Sequence, residues 1–175
     1  MRRLILFSII GFFAQLVDGA LGMAYGATSA SLLLLFGVAP AVASASIHMA
    51  EIATTAASGI SHLWFRNVDR SIILTLVIPG SICAFIGAAF LSHLPGELIR
   101  PYVSGLLTLL GVYILWRFMR RVPGTGDKQP TYSKWFLVPL GAIGGFVDAI
   151  GGGGWGPIAT PALLAKKGAV PRKVI

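Results

Sequence analysis

Hydrophobic positions fall into five blocks, and the interruptions within them are the most telling part of the pattern. Block one runs from Leu4 to Phe36 and is interrupted around Gly19–Gly26. Ala41–Phe65 follows the Gly37–Pro40 turn, Ile72–Leu91 follows "RNVDR", and Leu98–Met119 follows "SHLPGE". Block five, Trp135–Ala165, is interrupted at Gly151–Gly156. Between blocks four and five lies "RRVPGTGDKQPTYSK" (120–134), a polar stretch with Pro and Gly that reads as a loop between units. About 20 apolar residues cross a hydrocarbon core of roughly 30 Å, so blocks two, three and four predict spanning helices. Blocks one and five would reach about 45–50 Å as straight helix at about 1.5 Å per residue. Each therefore predicts two half-helices around a non-helical break.

Blocks one and five are also related to each other. In "GFFAQLVDGALGMAYGATSASLLLLFGVAP" (11–40) and "GAIGGFVDAIGGGGWGPIATPALLAKKGAVP" (141–171), Gly11 meets Gly141 and Val17-Asp18 meets Val147-Asp148. Gly22 and Gly26 meet Gly152 and Gly156, and Leu33-Leu34 meet Leu163-Leu164. One inserted residue then brings Gly37 and Pro40 onto Gly168 and Pro171. Glycine-interrupted apolar segments at matching places in two halves point to a transporter binding site. Backbone leaves the helix at membrane depth only where protein buries it or where it lines a wet cavity. A cavity is therefore expected between the two breaks.

Composition agrees with lipid as the solvent. The 175 residues are 55% hydrophobic and 11% charged, against about 25% charged for an ordinary soluble domain. The net charge of +8 is spread over segment ends, from Arg2-Arg3 through Arg120-Arg121 to Arg172-Lys173. That is loop charge which orients spans, not a basic surface for nucleic acid. The single Cys83 allows no internal disulfide and reads as packing. Gly151, Gly153 and Gly156 match GxGxxG formally, but no acidic residue follows at the distance a dinucleotide site needs. No Lys-Ser/Thr follows the last glycine, so a P-loop is excluded.

Block two carries a polar stripe. Ser44, His48, Glu51, Thr55, Ser58 and His62 are spaced 4, 3, 4, 3 and 4, which places them on one helical face. Lipid penalises such a face, so it is expected toward the bundle interior, where ionisable groups mark substrate or proton paths. His48 and Glu51 alone are too few ligands for a metal site, and no metal or other cofactor is expected. Asp18 and Asp148 each end a half-helix; they are expected to bind freed backbone N–H groups of the next half, to serve the cavity, or both. Half-helices starting after Gly26 and Gly156 would aim positive dipole ends at the midplane. Gly152, Gly153 and Gly154 would let a ligand approach the backbone. Tyr25 and Trp155 occupy aligned positions and would wall, gate or pack the cavity. A small oxyanion suits such a site.

"GGFVDAIGGGGWGPIATPALL", "SIHMAEIATTAASGISHLWFRNVDR" and "IPGSICAFIGAAFLSHLPGELIRPYVSGLLTLLGVYIL" resemble the TauE/SafE family of bacterial inner-membrane anion transporters over nearly the whole chain. The resemblance implies a multi-pass permease for sulfite, sulfonate or related sulfur-containing organic anions, with two related halves, each opened by a glycine-rich motif. The second half stops at Ile175, where the segment matching Ser44–Glu51 should begin, so a C-terminally truncated member is expected.

The expected fold is an all-α polytopic membrane protein, a helical bundle with two related halves, the second incomplete, and glycine-broken, re-entrant helices. Residues 1–121 form the first repeat, 122–134 a polar cytoplasmic linker, and 135–175 the opening of the second repeat. The expected partners are the lipid bilayer, a small anion, a proton as coupling ion and further copies of the chain, with no nucleic acid. A membrane-embedded enzyme or a non-transporting scaffold are the alternatives. An enzyme lacks a convincing nucleophile–base pair, and a scaffold has no need of a charged stripe. If blocks one and five cross once, nine of the fourteen basic residues fall on the N-terminal side. If they dip in and return, eleven gather on one side, leaving Arg2, Arg3 and Arg100 opposite. The positive-inside rule favours the second arrangement.

Overall fold

The computed structural model describes residues 2–21, 23, 25–119, 130–166, 169 and 174. All regular elements among them are helices: α1 (Arg2–Leu21), α2 (Tyr25–Leu35), α3 (Pro40–Trp64), α4 (Arg70–His93), α5 (Gly96–Met119), α6 (Lys134–Gly151) and α7 (Trp155–Leu164). Both interrupted blocks are therefore broken helices. Gly22, Gly168, Pro171 and most of the polar linker lie outside the described residues. Among the described residues, α4, α5 and α6 are long and apolar enough to cross a membrane by length and composition. The polar stripe dilutes the apolar character of α3.

Local chemistry sets the ends of the elements. Gly37 adopts φ +86°, and its N–H bonds Leu34 O while Val38 N–H bonds Leu33 O. This Schellman pair closes α2 with a glycine in the left-handed region. Pro40, the first residue of α3, lacks only an N–H that has no helical partner there. At the other end of α3 the same two bonds recur, Arg66 N–H to Leu63 O and Asn67 N–H to His62 O, with Arg66 at φ +55°. Asp69 then accepts from Ser71 N–H and Ile72 N–H and caps α4.

Both broken helices fold back as hairpins. Tyr132, just before α6, donates its hydroxyl to Leu163 O near the end of α7 at 2.8 Å. Burial pushes the Tyr132 phenol up from its ordinary value, which keeps that hydroxyl protonated and donating. The end of α7 thus returns to the start of α6. On the other hairpin, Gly11 of α1 shares a small cavity with Leu32 and Leu33 of α2. Arg100, in the first turns of α5, donates to Leu34 O at the end of α2.

Glycines on α4 and α6 bring those helices into backbone contact. A Cβ at Gly141 would stand 2.4 Å from Leu76 O, and one at Gly145 2.1 Å from Gly80 O. Gly87 lies against Phe146 and Ala149. The order of these contacts shows that α4 and α6 run parallel. Small residues four apart permit this approach, as in close-packed membrane helices.

Candidate functional site

The first turn of α2 meets the break in block five backbone to backbone. A Cβ at Gly26 would lie 2.5 Å from Gly152 O and from Gly153 Cα, and one at Gly153 would lie 2.1 Å from Ala27 N. Even a methyl group has no room there. Gly152 takes φ +69° and returns its N–H to Asp148 O at 2.7 Å, closing α6. The break in block five is the short stretch Gly152–Gly154; Gly151 ends α6, and Trp155 and Gly156 already belong to α7. The half-helices therefore start at Tyr25 and Trp155, earlier than the expected starts after Gly26 and Gly156. Glycine density marks where backbones meet, and helical hydrogen bonding resumes within that stretch.

Each hairpin carries the same capping contact. Tyr25 N–H donates to Asp18 Oδ1 at 3.2 Å, and Trp155 N–H donates to Asp148 Oδ1 at 3.0 Å. In both cases the carboxylate reaches the first residue of the next half-helix, seven positions on. This alters the picture of open dipole ends facing a ligand. In the first turn of α7, Asp148 holds the Trp155 N–H, Pro157 has none, and Ile158 N–H bonds Gly154 O.

Helix α3 crosses this junction. The buried Ser44 hydroxyl donates to Ala149 O at 2.6 Å, satisfying one of the last carbonyls of α6. His48 Nδ1 donates to Ser44 O at 2.8 Å, and its Nε2 faces Asp148 Oδ2 at 3.2 Å. With Nδ1 committed to a carbonyl, a proton on Nε2 would complete the bond to Asp148 Oδ2. Asp18, His48 and Asp148 each lie within electrostatic reach of Glu51. Among the described residues no three His, Cys, Asp or Glu are placed to share a metal ion.

The stripe on α3 divides between two cavities, one at each end of the α3–α4 pair. Ser44 and His48 line one of about 450 Å³ with Ala84, Ala88 and Ser92 of α4. Thr55, Ser58 and His62 line the other, of about 330 Å³, with Ile72 and Val77 of α4 and Trp155 and Thr160 of α7. Glu51 lies between them along the helix. From Ser44 to His62 is about 27 Å at about 1.5 Å per residue. The Trp155 ring sits against Gly80 and Gly144, while Tyr25 lines a third, small cavity with Ser29 and Ser46.

Sequence reasoning grouped Ser44, His48 and Asp148 as pathway residues without placing them against one another. It missed the seat of Trp155 on Gly80 and Gly144, and it missed Thr160. The four-residue spacing of Gly141 and Gly145 was a legible sign of close helix contact; nothing marked Thr160.

Paired broken hairpins beside apolar helices of spanning length define an all-α membrane protein built around their crossing. Residues 7–175 match the family described as "Sulfite exporter TauE/SafE", and the chain belongs to that family. It is 58% identical over 176 residues to the "Probable membrane transporter protein YtnM" of Bacillus subtilis (strain 168). That match covers 100% of this chain and 59% of the relative, so the chain spans well under two thirds of the relative's length. No solved structure matches.

Proposed function

We propose that the chain is the core of a membrane transporter for small anions, with sulfite, sulfonates and related sulfur oxyanions as the substrate class. The observation that carries this reading is the crossing of two broken hairpins beside a polar stripe nearly as long as the bilayer core is thick. In this reading α3 spans the membrane with α4 and α5, while α1–α2 and α6–α7 enter from opposite faces as inverted repeats. The face carrying Arg66, Arg70, Lys134 and Lys166 is then cytoplasmic by the positive-inside rule, and the membrane is the bacterial inner membrane. The crossing itself is closed, since backbones touch there, so the substrate passes beside it along α3.

The charges at the junction make protons part of the cycle. Glu51 and Asp148 act on the His48 imidazole and Asp18 acts on Glu51, and an anion arriving there meets carboxylate charge unless protons accompany it. His48, whose Nε2 faces Asp148 Oδ2, is the group that carries such a proton in this reading. The three carboxylates also favour a second reading, in which the permeant ion is a cation.

Flux measurements on proteoliposomes separate the two. Sulfite is expected to move with protons, and Glu51→Gln is expected to abolish or uncouple that flux while membrane insertion is unchanged. Wild-type sulfite flux in Glu51→Gln would reduce Glu51 to packing. Sodium or potassium flux with none of sulfite would favour the cation reading.

A further inference from the structure

The carboxylates at the junction raise the question of where an anion rests when it is away from them. Of the two cavities along α3, the one beyond Glu51 holds the better chemistry. Thr55 has spent its hydroxyl proton on Glu51 O at 2.5 Å, so the donors that α3 brings to this cavity are Ser58 and His62. A neutral imidazole keeps one N–H whichever tautomer it adopts. Trp155 of α7 closes one wall. Water takes about 30 Å³ per molecule in the liquid, so about 330 Å³ accommodates a small oxyanion with part of its hydration shell.

Charge at this end of the bundle favours anions. Arg66 and Arg70 flank the α3–α4 turn, and Lys134 opens α6. Lys166 follows α7, with Nζ donating to Thr131 O and standing 5.2 Å from the Tyr132 ring centroid. Asp69, the cap of α4, is the carboxylate in the same turn. Among the described residues at this end, four cations stand against one carboxylate, a balance that concentrates anions at such a mouth.

We propose that the cavity lined by Thr55, Ser58, His62, Trp155 and Thr160 is an anion-loading site, distinct from the His48–Asp148 junction, which takes a small oxyanion from the basic end of the bundle. The substrate class rests on the anion-transport reading; the site itself is tested by binding and needs no flux. The 175-residue chain is placed in nanodiscs with Trp64, Trp116 and Trp135 changed to Phe, leaving Trp155 as the reporter. Iodide is the probe and caesium the cationic control.

Trp155 emission is expected to fall with iodide along a saturable curve, with no such curve for caesium, and sulfite is expected to compete. Losing the Ser58 and His62 donors in the double variant Ser58→Ala/His62→Ala is expected to weaken iodide at least about tenfold, the scale of a hydrogen bond to a charged group. His62→Asn, which keeps an N–H donor, is expected to stay within about threefold of the parent and guards against misfolding as the cause. His48→Gln is expected to leave the curve in place. Linear quenching, equal quenching by caesium, or an unchanged curve in the double variant would overturn the site. Loss of saturation in His48→Gln alone would place the anion at the junction and also overturn it. Failure of sulfite flux with saturable iodide binding intact would count against the transport reading and leave the site standing.

Discussion

Asp18 and Asp148 each accept the N–H seven residues ahead, yet the helices that carry them are packed very differently. Helix α6 is clamped against α4 through Gly141 and Gly145, with α4 carbonyls at 2.4 and 2.1 Å from where a Cβ would stand. Gly11, the aligned glycine of α1, meets nothing within 4 Å, and Phe12, Phe13 and Leu16 beside it are exposed. The repeat motif therefore specifies the hairpin: break, aspartate, first N–H of the next half-helix. What packs against the hairpin is specified by other helices, whose glycines have to match.

The crossing is where the two hairpins depend on each other most, and Gly153→Ala should have the largest effect. Overpacking a core costs about 1–3 kcal/mol and sometimes more; here a methyl would meet backbone at 2.1 Å, so the cost should exceed that range. Gly153→Ala is expected to give little monodisperse protein by fluorescence-detected gel filtration. A normal profile would mean that the two backbones do not touch there.

Gly145→Ala and Gly11→Ala set the clamped helix against the open one directly. The first is expected to lower the thermal midpoint, again at a cost above the usual range of about 1–3 kcal/mol, since its methyl too would meet backbone at 2.1 Å. The second should be neutral or mildly stabilising, by up to about 1 kcal/mol, since alanine suits a helix interior better than glycine. Equal effects at the two positions would erase the distinction.

A smaller effect is expected at the cap. Asp148→Ala strands both Trp155 N–H and one nitrogen of His48, for about 2–3 kcal/mol. Asp148→Asn keeps a carbonyl acceptor for Trp155 and is expected to cost about 1 kcal/mol. Thermal unfolding of the two variants side by side separates the capping role from the charge; identical losses would mean that the carboxylate charge carries all of it.

Much of this was legible in the sequence, for physical reasons that also explain what was not. Apolar blocks too long for one span had to break, and glycines say where, because lipid leaves a helix no other way to end. Asp18 and Asp148 stood out through the repeat, and a short carboxylate before a helix start has an obvious N–H to bind. The spacing from Ser44 to His62 fixed a common face on α3, since that follows from helical period alone. It did not reveal that His48 faces Asp148 one hundred residues away, nor that Glu51 separates two cavities. Those facts depend on how hairpins and helices stack, and periodicity within one element carries no register between elements. The half-helix starts were placed slightly late because a glycine permits a break without enforcing one. Gly26 and Gly156 lie inside the first turns, where Gly26 makes room for the crossing backbone.

The central claim is that the two hairpins enter from opposite faces, and side-specific thiol labelling tests it most directly. Cys83 is replaced by Ala, and single cysteines are placed by Arg2→Cys and Thr131→Cys, at the open ends of the two hairpins. In intact cells and inverted vesicles a membrane-impermeant maleimide should reach the two positions from opposite sides, with position 131 cytoplasmic. Labelling of both from the same side would mean that α1 and α2 cross the membrane as one span and that the repeats are parallel.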